Sequence, residues 1–266
     1  TVTIYSDSEI DIMKIKFLSR FWLTSLLCLS VLQVQAQTRN QDQQTYGRSD
    51  APLVAEAAGV QIRTANPDEM AYVIKQVLVK QYIEDNKLQA TDAELAEFMQ
   101  RKQLMMEKNR IKLDARRDEI RQTLTEASLT ADARAQLEKE RAALDEMDKA
   151  MKQAESRAGT AESDAAEALV ARSFIEQWKV NRSLYRQYGG RVIYQQGGPE
   201  PLDAWQQFLR DAQRDGKFSI INKDMEPALW SYYTTENIHR FYPDSGDQKE
   251  QAINTPWWTL DEPAGR

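Results

Sequence analysis

The chain has 266 residues, 41% hydrophobic and 29% charged, which is enough for one large domain or two small ones with a hydrophobic core. Its 35 basic and 41 acidic residues give a net charge of −6, which argues against a general nucleic-acid-binding protein. A single cysteine excludes a disulfide framework and a cysteine-rich zinc site, and a single histidine excludes any site that requires two histidines.

Residues 13–36 have the three-part layout of a secretory signal peptide. Basic residues follow Met13, an apolar stretch of 14 residues occupies Phe21–Val34, and Ala36 ends a small-residue cleavage site. The apolar stretch is shorter than the roughly 20 residues of a bilayer span, and an uncleaved N-terminal anchor is the alternative. Residues 1–12 are interpreted as lying upstream of the true start. Cleavage after Ala36 would leave a mature chain without cysteine, which suits the oxidising periplasm of a bacterium.

The mature chain is predicted to begin with a disordered leader and a short strand. Residues 37–50 are polar and carry one large apolar side chain, which indicates disorder. Residues Leu53–Arg63 contain β-branched side chains around a glycine and predict a strand or strand-turn. A helix follows, because Asn66 is a good N-cap and Pro67 suits the first helical position. Its apolar residues recur with helical spacing until about Asn86.

Residues 91–158 predict two long helices that pair as an antiparallel hairpin. No glycine or proline interrupts Thr91–Ala127, and a first helix of that length would extend about 50 Å. A second helix follows a break at residues 127–130. The apolar side chains are spaced by seven residues: Met99, Met106, Leu113 and Ile120 on the first helix, and Leu137, Leu144 and Met151 on the second. Such a thin stripe predicts a solvated, protruding arm, and pairing of two arms in a homodimer is the alternative.

The remainder of the chain predicts further short elements. These are a helix from Ser163 to about Tyr188, a strand at Arg191–Gln196, a helix from Pro201, a possible strand at Phe218–Ile221 and a last helix over Lys223–Tyr242. The final Pro256-Trp257-Trp258 is too apolar to extend freely into water.

These elements predict a mainly α-helical protein with a helical body, a small two- or three-stranded sheet and a long protruding antiparallel helical hairpin. The body consists of residues 51–90 and 159–266, and the hairpin consists of residues 91–158. In the predicted sheet, Leu53–Arg63 pairs with Arg191–Gln196.

No motif in the sequence predicts catalysis, a metal or a cofactor. Glu236 and His239 have the E-x-x-H spacing of helical metal sites, but such sites need further ligands, so a histidine at the surface or a helix end is the expectation. A Ser–His–Asp arrangement that uses His239 stays open, although no G-x-S-x-G motif is present. The two glycine pairs fit neither phosphate-binding pattern and are expected in turns.

Aromatic residues concentrate in the last third of the chain. Most of them are expected in the core, because each ring buries a large apolar area. The functional alternative is a groove for extended apolar polypeptides, to which flexible methionines on the hairpin would add adaptable surface. The candidate polypeptide-binding residues are Met99, Met105, Met106, Leu113, Trp178, Tyr185, Trp205 and Trp230.

The segment Leu53–Met99 resembles the N-terminal module of SurA-like periplasmic chaperones. The similarity lies in a glycine-containing strand, a helix that ends VLVKQYIEDNKL, and a second helix that begins ATDAELAEFM. The resemblance implies a periplasmic chaperone whose partners are unfolded or outer-membrane proteins. Many members also carry a parvulin-type prolyl isomerase domain with paired histidines, which a chain with one histidine does not match.

The sequence therefore predicts a SurA-like periplasmic chaperone that binds extended apolar segments without catalysis. One alternative is a degenerate parvulin-type peptidyl-prolyl cis/trans isomerase. The other is an envelope scaffold that dimerises through its hairpin as a coiled coil.

Overall fold

The computed structural model describes residues 44–157, 159–195 and 197–260. It is 67% helical with a small sheet, which confirms the predicted mainly α class. The predicted upstream segment, the signal peptide and residues 37–43 of the predicted leader lie outside the described residues. Within the described residues, no helix combines the length and the hydropathy needed to cross a bilayer.

The chain divides into two compact units. Among the described residues, one unit comprises residues within 102–167, and the other comprises 44–101 together with those within 168–260. We call the second the sheet unit, because it contains all four described strands.

The sheet has the strand order β1-β3-β2-β4. Its strands are β1 (Gln44–Tyr46), β2 (Leu53–Ala57), β3 (Val60–Arg63) and β4 (Phe218–Ile220). Strands β2 and β3 form a hairpin whose two turn residues, Ala58 and Gly59, both have positive φ, as the tightest hairpin turns require. Strand β4 pairs antiparallel with β2, and Glu56 lies opposite Ser219.

The predicted pairing of Leu53–Arg63 with Arg191–Gln196 is wrong. Ile193 instead forms isolated bridges with Glu200 and Phe241. The turn that follows Ile193 brings Glu200 back beside it, and the two residues exchange backbone hydrogen bonds of 2.8 and 3.1 Å. Glu200 thus satisfies the backbone hydrogen-bonding groups of Ile193, and this segment does not join the sheet. Strand β4 occupies the edge beside β2 instead.

The described end of the predicted disordered leader is ordered. Strand β1 pairs in parallel with β3, and the Tyr46 hydroxyl donates a 3.0 Å hydrogen bond to Glu69. Gly47 then turns the chain at φ +95°, where a β-carbon would lie 1.9 Å from the Arg63 carbonyl oxygen. A glycine at this position is therefore needed for β1 to reach the sheet.

The core of the sheet unit lies between the sheet and four helices. These are α1 (Pro67–Asn86), the second half of α4 (Ala161–Tyr188), α5 (Leu202–Arg214) and α6 (Glu226–Thr234). Helix α1 begins as predicted, because the Asn66 side chain accepts hydrogen bonds from the backbone of Asp68 and Glu69. Its buried residues are Met70, Val73, Ile74, Leu78 and Val79.

The predicted last helix over Lys223–Tyr242 is also wrong, because the segment is broken. A short 3-10 helix at Lys223–Met225 precedes α6, and another follows at Glu236–Ile238. The backbone is extended at Thr235, which ends α6 and lets Phe241 bridge to Ile193. Helix α7 (Gln248–Asn254) and a 3-10 helix at Trp257–Thr259 complete the described chain.

Residues 102–157 form an antiparallel helical hairpin. It consists of most of α2 (Asp92–Thr123) and all of α3 (Ala131–Arg157). Ion pairs between the two helices match their antiparallel orientation, since Arg110 bonds Glu155 at 2.7 Å and Arg116 bonds Glu140 at 2.8 Å. The predicted heptad residues Leu113, Ile120 and Leu144 are buried.

Candidate polypeptide-binding site

Helix α2 brings three apolar side chains together at its first turns. Thr91 and Glu94 form a capping box, in which the Glu94 carboxylate accepts from the Thr91 amide at 2.8 Å and the Thr91 hydroxyl accepts from the Glu94 amide at 3.2 Å. The helix that starts there places Leu95, Phe98 and Met99 on one face, and of the three only Phe98 is buried, at 8% exposure.

Helix α4 supplies the opposing face. Its residues Ala171, Phe174, Ile175 and Trp178 recur at i, i+3, i+4 and i+7, so they lie along one stripe. Ala171 and Ile175 are buried, whereas Phe174 and Trp178 are half-buried. The larger rings therefore lie at the margin of the packed region, where part of each stays accessible.

The C-terminal segment completes this arrangement with two indoles. The Trp258 ring lies 5.4 Å from Phe98 and 5.5 Å from Trp178, and the Trp257 ring lies 5.4 Å from Phe174 (centroid distances). All three of these contacts are edge-to-face or tilted, which the ring quadrupoles favour. We call the five rings the aromatic cluster; they are Phe98, Phe174, Trp178, Trp257 and Trp258.

Charged side chains border the aromatic cluster. The Lys179 ammonium group bonds the Glu94 carboxylate at 2.6 Å, and the Arg182 guanidinium lies 5.2 Å from the Trp178 ring centre. Burial raises the pKa of Glu94, but hydrogen bonds from Lys179 and Thr91 outweigh it, so the pKa falls below the ordinary 4.5. The Trp178 indole nitrogen is buried and has no hydrogen-bond partner among the described residues. The site is thus apolar, with charges at its rim.

Two of the predicted site residues lie here: Trp178 belongs to the aromatic cluster, and Met99 packs against it. Tyr185 lies elsewhere, beside Tyr242, and its hydroxyl bonds Glu250 at 2.5 Å. Burial and this carboxylate raise the pKa of Tyr185 to about 12. Trp230 is half-buried at the edge of the main core, with the Arg210 guanidinium 5.8 Å from its ring centre.

Two predicted site residues lie in the interior, which corrects their assignment. Trp205 is 0% exposed in the main core, and its indole nitrogen donates to Asn181 at 2.8 Å. Leu113 is buried in the hairpin at the predicted heptad position. Their burial leaves no surface for a polypeptide ligand in this conformation, because helical packing already uses both side chains.

The two predicted methionines of the hairpin differ from one another. Met106 is half-buried at a heptad position, whereas Met105 is 37% exposed. Leu104 and Ile111, at 58% and 60%, are also exposed, and their spacing of seven residues places them on one face of α2. We call Leu104, Met105 and Ile111 the exposed stripe of the hairpin.

His239 lies between aromatic rings and bonds a backbone carbonyl group. Its Nε2 atom lies 2.6 Å from the Tyr232 carbonyl oxygen, to which it donates, and the ring contacts Tyr232 and Phe241. The side chain of Glu236, its predicted partner, lies outside the described part. Across the described ranges, no group of three or more metal-ligating side chains is gathered at one place.

Comparisons with protein-family models, with curated proteins and with solved structures find no match for this chain. The aromatic cluster is therefore interpreted from its own geometry. Phe98 and Phe174 are absent from the set of predicted site residues, although Leu95–Phe98 and Phe174–Trp178 have helical spacing in the sequence. The apolar Pro256-Trp257-Trp258 is the one sequence signal that indicates a partner for them.

Proposed function

We propose that this protein is a SurA-like chaperone, exported to the periplasm, which holds unfolded or extended apolar polypeptides without catalysis. The observation that carries the proposal is the aromatic cluster, in which Phe174, Trp178 and Trp257 are only half-buried. Clients of such a protein would include unfolded outer-membrane proteins, as the resemblance of Leu53–Met99 implies.

The chemistry of the cluster suits weak and unselective binding of polypeptides. Large rings supply contact area at a low cost in side-chain entropy, and Met99 adds a flexible thioether that adapts to different neighbours. A rim of charged groups, such as Lys179 and Arg182, would keep this apolar surface from associating with itself. Binding of this kind holds a client without requiring a reacting group.

An aggregation assay tests the proposal. The mature protein, mixed at equimolar ratio with a denatured outer-membrane protein that is diluted from urea, is expected to suppress light scattering. Trp178→Ala should weaken the suppression, because it removes a ring from the cluster, whereas Trp230→Ala should not. Scattering that the wild-type protein leaves unchanged would refute the chaperone proposal.

A second candidate function is an envelope scaffold that dimerises through the hairpin. The exposed stripe favours it, because Leu104 and Ile111 repeat after seven residues on one helix face and could pair with a second copy. Sedimentation analysis that gives a monomer at tens of micromolar protein would exclude this candidate.

A further inference from the structure

The C-terminal segment lies on an apolar surface that other residues of the sheet unit form. This surface, which we call the groove, consists of Leu95, Phe98, Met99, Phe174, Ile175 and Trp178. Trp258, which is 6% exposed, packs against it, and Trp257 is half-buried beside it. A peptide-like occupant therefore already lies in the groove, and the chain itself supplies it.

The backbone of this occupant resembles a short bound peptide. Thr255 and Pro256 before the 3-10 turn, and Leu260 after it, have extended or polyproline-like angles. The turn itself is held by local bonds, in which the amide and the hydroxyl of Thr259 donate to the Pro256 carbonyl oxygen at 2.9 and 2.7 Å. Ring contacts rather than a sheet ladder thus connect the segment to the groove.

Gly198 leaves just enough space for the Trp257 indole. Its φ is +106°, and a β-carbon there would lie 2.5 Å from Cδ1 of the Trp257 indole. Any larger residue at position 198 would push the indole away. The loop thus meets the ring at van der Waals distance only because position 198 is glycine.

We propose that Pro256-Trp257-Trp258 is a replaceable internal occupant of the groove, and that an extended polypeptide with two neighbouring aromatic side chains binds there in its place. The inference rests on the proposed function and identifies its ligand class. A tethered segment has an effective concentration of about millimolar, so a free peptide at micromolar concentration competes poorly until the segment is released.

A labelled peptide tests the replacement. The probe is a fluorescein-labelled copy of residues 254–260, NTPWWTL, whose binding to the full mature chain is followed by fluorescence anisotropy. The Trp257→Ala/Trp258→Ala chain, with its groove emptied, is expected to bind the peptide at least tenfold more tightly than the wild type. A peptide with alanine in place of both tryptophans is expected not to bind.

A second variant covers the case in which the double variant does not fold. Gly198→Ala should displace Trp257 and increase peptide binding while both tryptophans are retained. Gly246→Ala is the matched control, because Gly246 also has a positive φ, +89°, but no atom lies within 4 Å of its added β-carbon. Equal peptide binding by the wild type, Gly198→Ala and a folded double variant would overturn the inference.

The aggregation assay separates the two proposals. Suppression of scattering without peptide binding by the emptied groove would refute the replacement and leave the chaperone function standing. Peptide binding by the emptied groove together with unsuppressed scattering by every variant would support the groove assignment and refute the chaperone function.

Discussion

Asn181 connects three segments of the sheet unit through one buried amide. Its Nδ2 donates to the Pro199 carbonyl oxygen at 2.9 Å, and its Oδ1 accepts from Trp205 Nε1 at 2.8 Å and from Gln177 at 2.9 Å. The residue is 5% exposed, so water cannot replace these partners without reorganisation of the core. A single polar side chain thus fixes how α4, α5 and the loop before α5 pack.

We expect Asn181→Ala to lower the free energy of unfolding by about 3 kcal/mol, because the Trp205 indole and the Pro199 carbonyl would both be left buried without a partner. Urea unfolding followed by circular dichroism measures the change. Gln177→Ala, which removes only the half-buried bond, should cost less than about 1 kcal/mol. Equal losses in both variants would contradict this account.

The place of Asn181 could be predicted from the sequence only in part. It lies on the same helical stripe as Trp178 and Leu184, and that spacing predicts burial. Its partners Pro199 and Trp205 come from later segments, and nothing in the local pattern specifies that they meet it. The burial of Asn181 was predictable from its helical spacing, whereas the hydrogen bonds that make this burial favourable were not.

The start of a helix could be predicted where its determinants are local. Asn66 and Pro67 start α1 as predicted, because a cap depends on residues only two or three positions apart. The partner of β2 and the end of α6 depend on distant segments. The sequence pattern therefore could not distinguish Phe218–Ile220 from Arg191–Gln196 as the strand beside β2.

Glu94 makes the start of α2 sensitive to acid. Its folded pKa is lower than the ordinary 4.5, so its contribution to stability is complete above that pH and is lost as pH falls through the folded pKa. We expect Glu94→Gln to cost about 1 kcal/mol of unfolding free energy at pH 6, because a charge-assisted bond to Lys179 becomes neutral.

The cost of Glu94→Gln should shrink toward zero at pH 3, where the wild-type carboxylate is increasingly protonated. Urea unfolding of the wild type and the variant at both pH values measures the difference and cancels the effects of other carboxylates. A cost that stays constant between pH 6 and pH 3 would show that charge plays no part.

Substitutions in the exposed stripe distinguish a chaperone from a scaffold. Leu104→Ser/Ile111→Ser should weaken suppression of client aggregation about fivefold, because two half-exposed side chains contribute about 1 kcal/mol when a client covers them. The sedimentation coefficient should not change. Lys108→Ser, on the same face between the two residues, is the control for altered helix propensity.

A wild-type dimer that the Leu104→Ser/Ile111→Ser variant converts to a monomer would instead assign the stripe to self-association.

The antiparallel helix pair was predictable from the heptad spacing of Leu113, Ile120 and Leu144. The exposed stripe was not, since Leu104 and Ile111 have the same apolar character as the buried set and differ from it only in helical phase.

The sheet sets the order in which the chain can fold. Glu56 on β2 pairs with Ser219 on β4, and Phe98 meets Trp258 near the end of the described chain. During synthesis from the N-terminus, strands β1 to β3 and the helical hairpin can form early from neighbouring residues, whereas strand β4 and the two indoles are made only in the last quarter of the sequence. During that interval the apolar faces of β2 and α1 lack the later residues that bury them in the folded chain, among them Phe218 and Ile220 of β4.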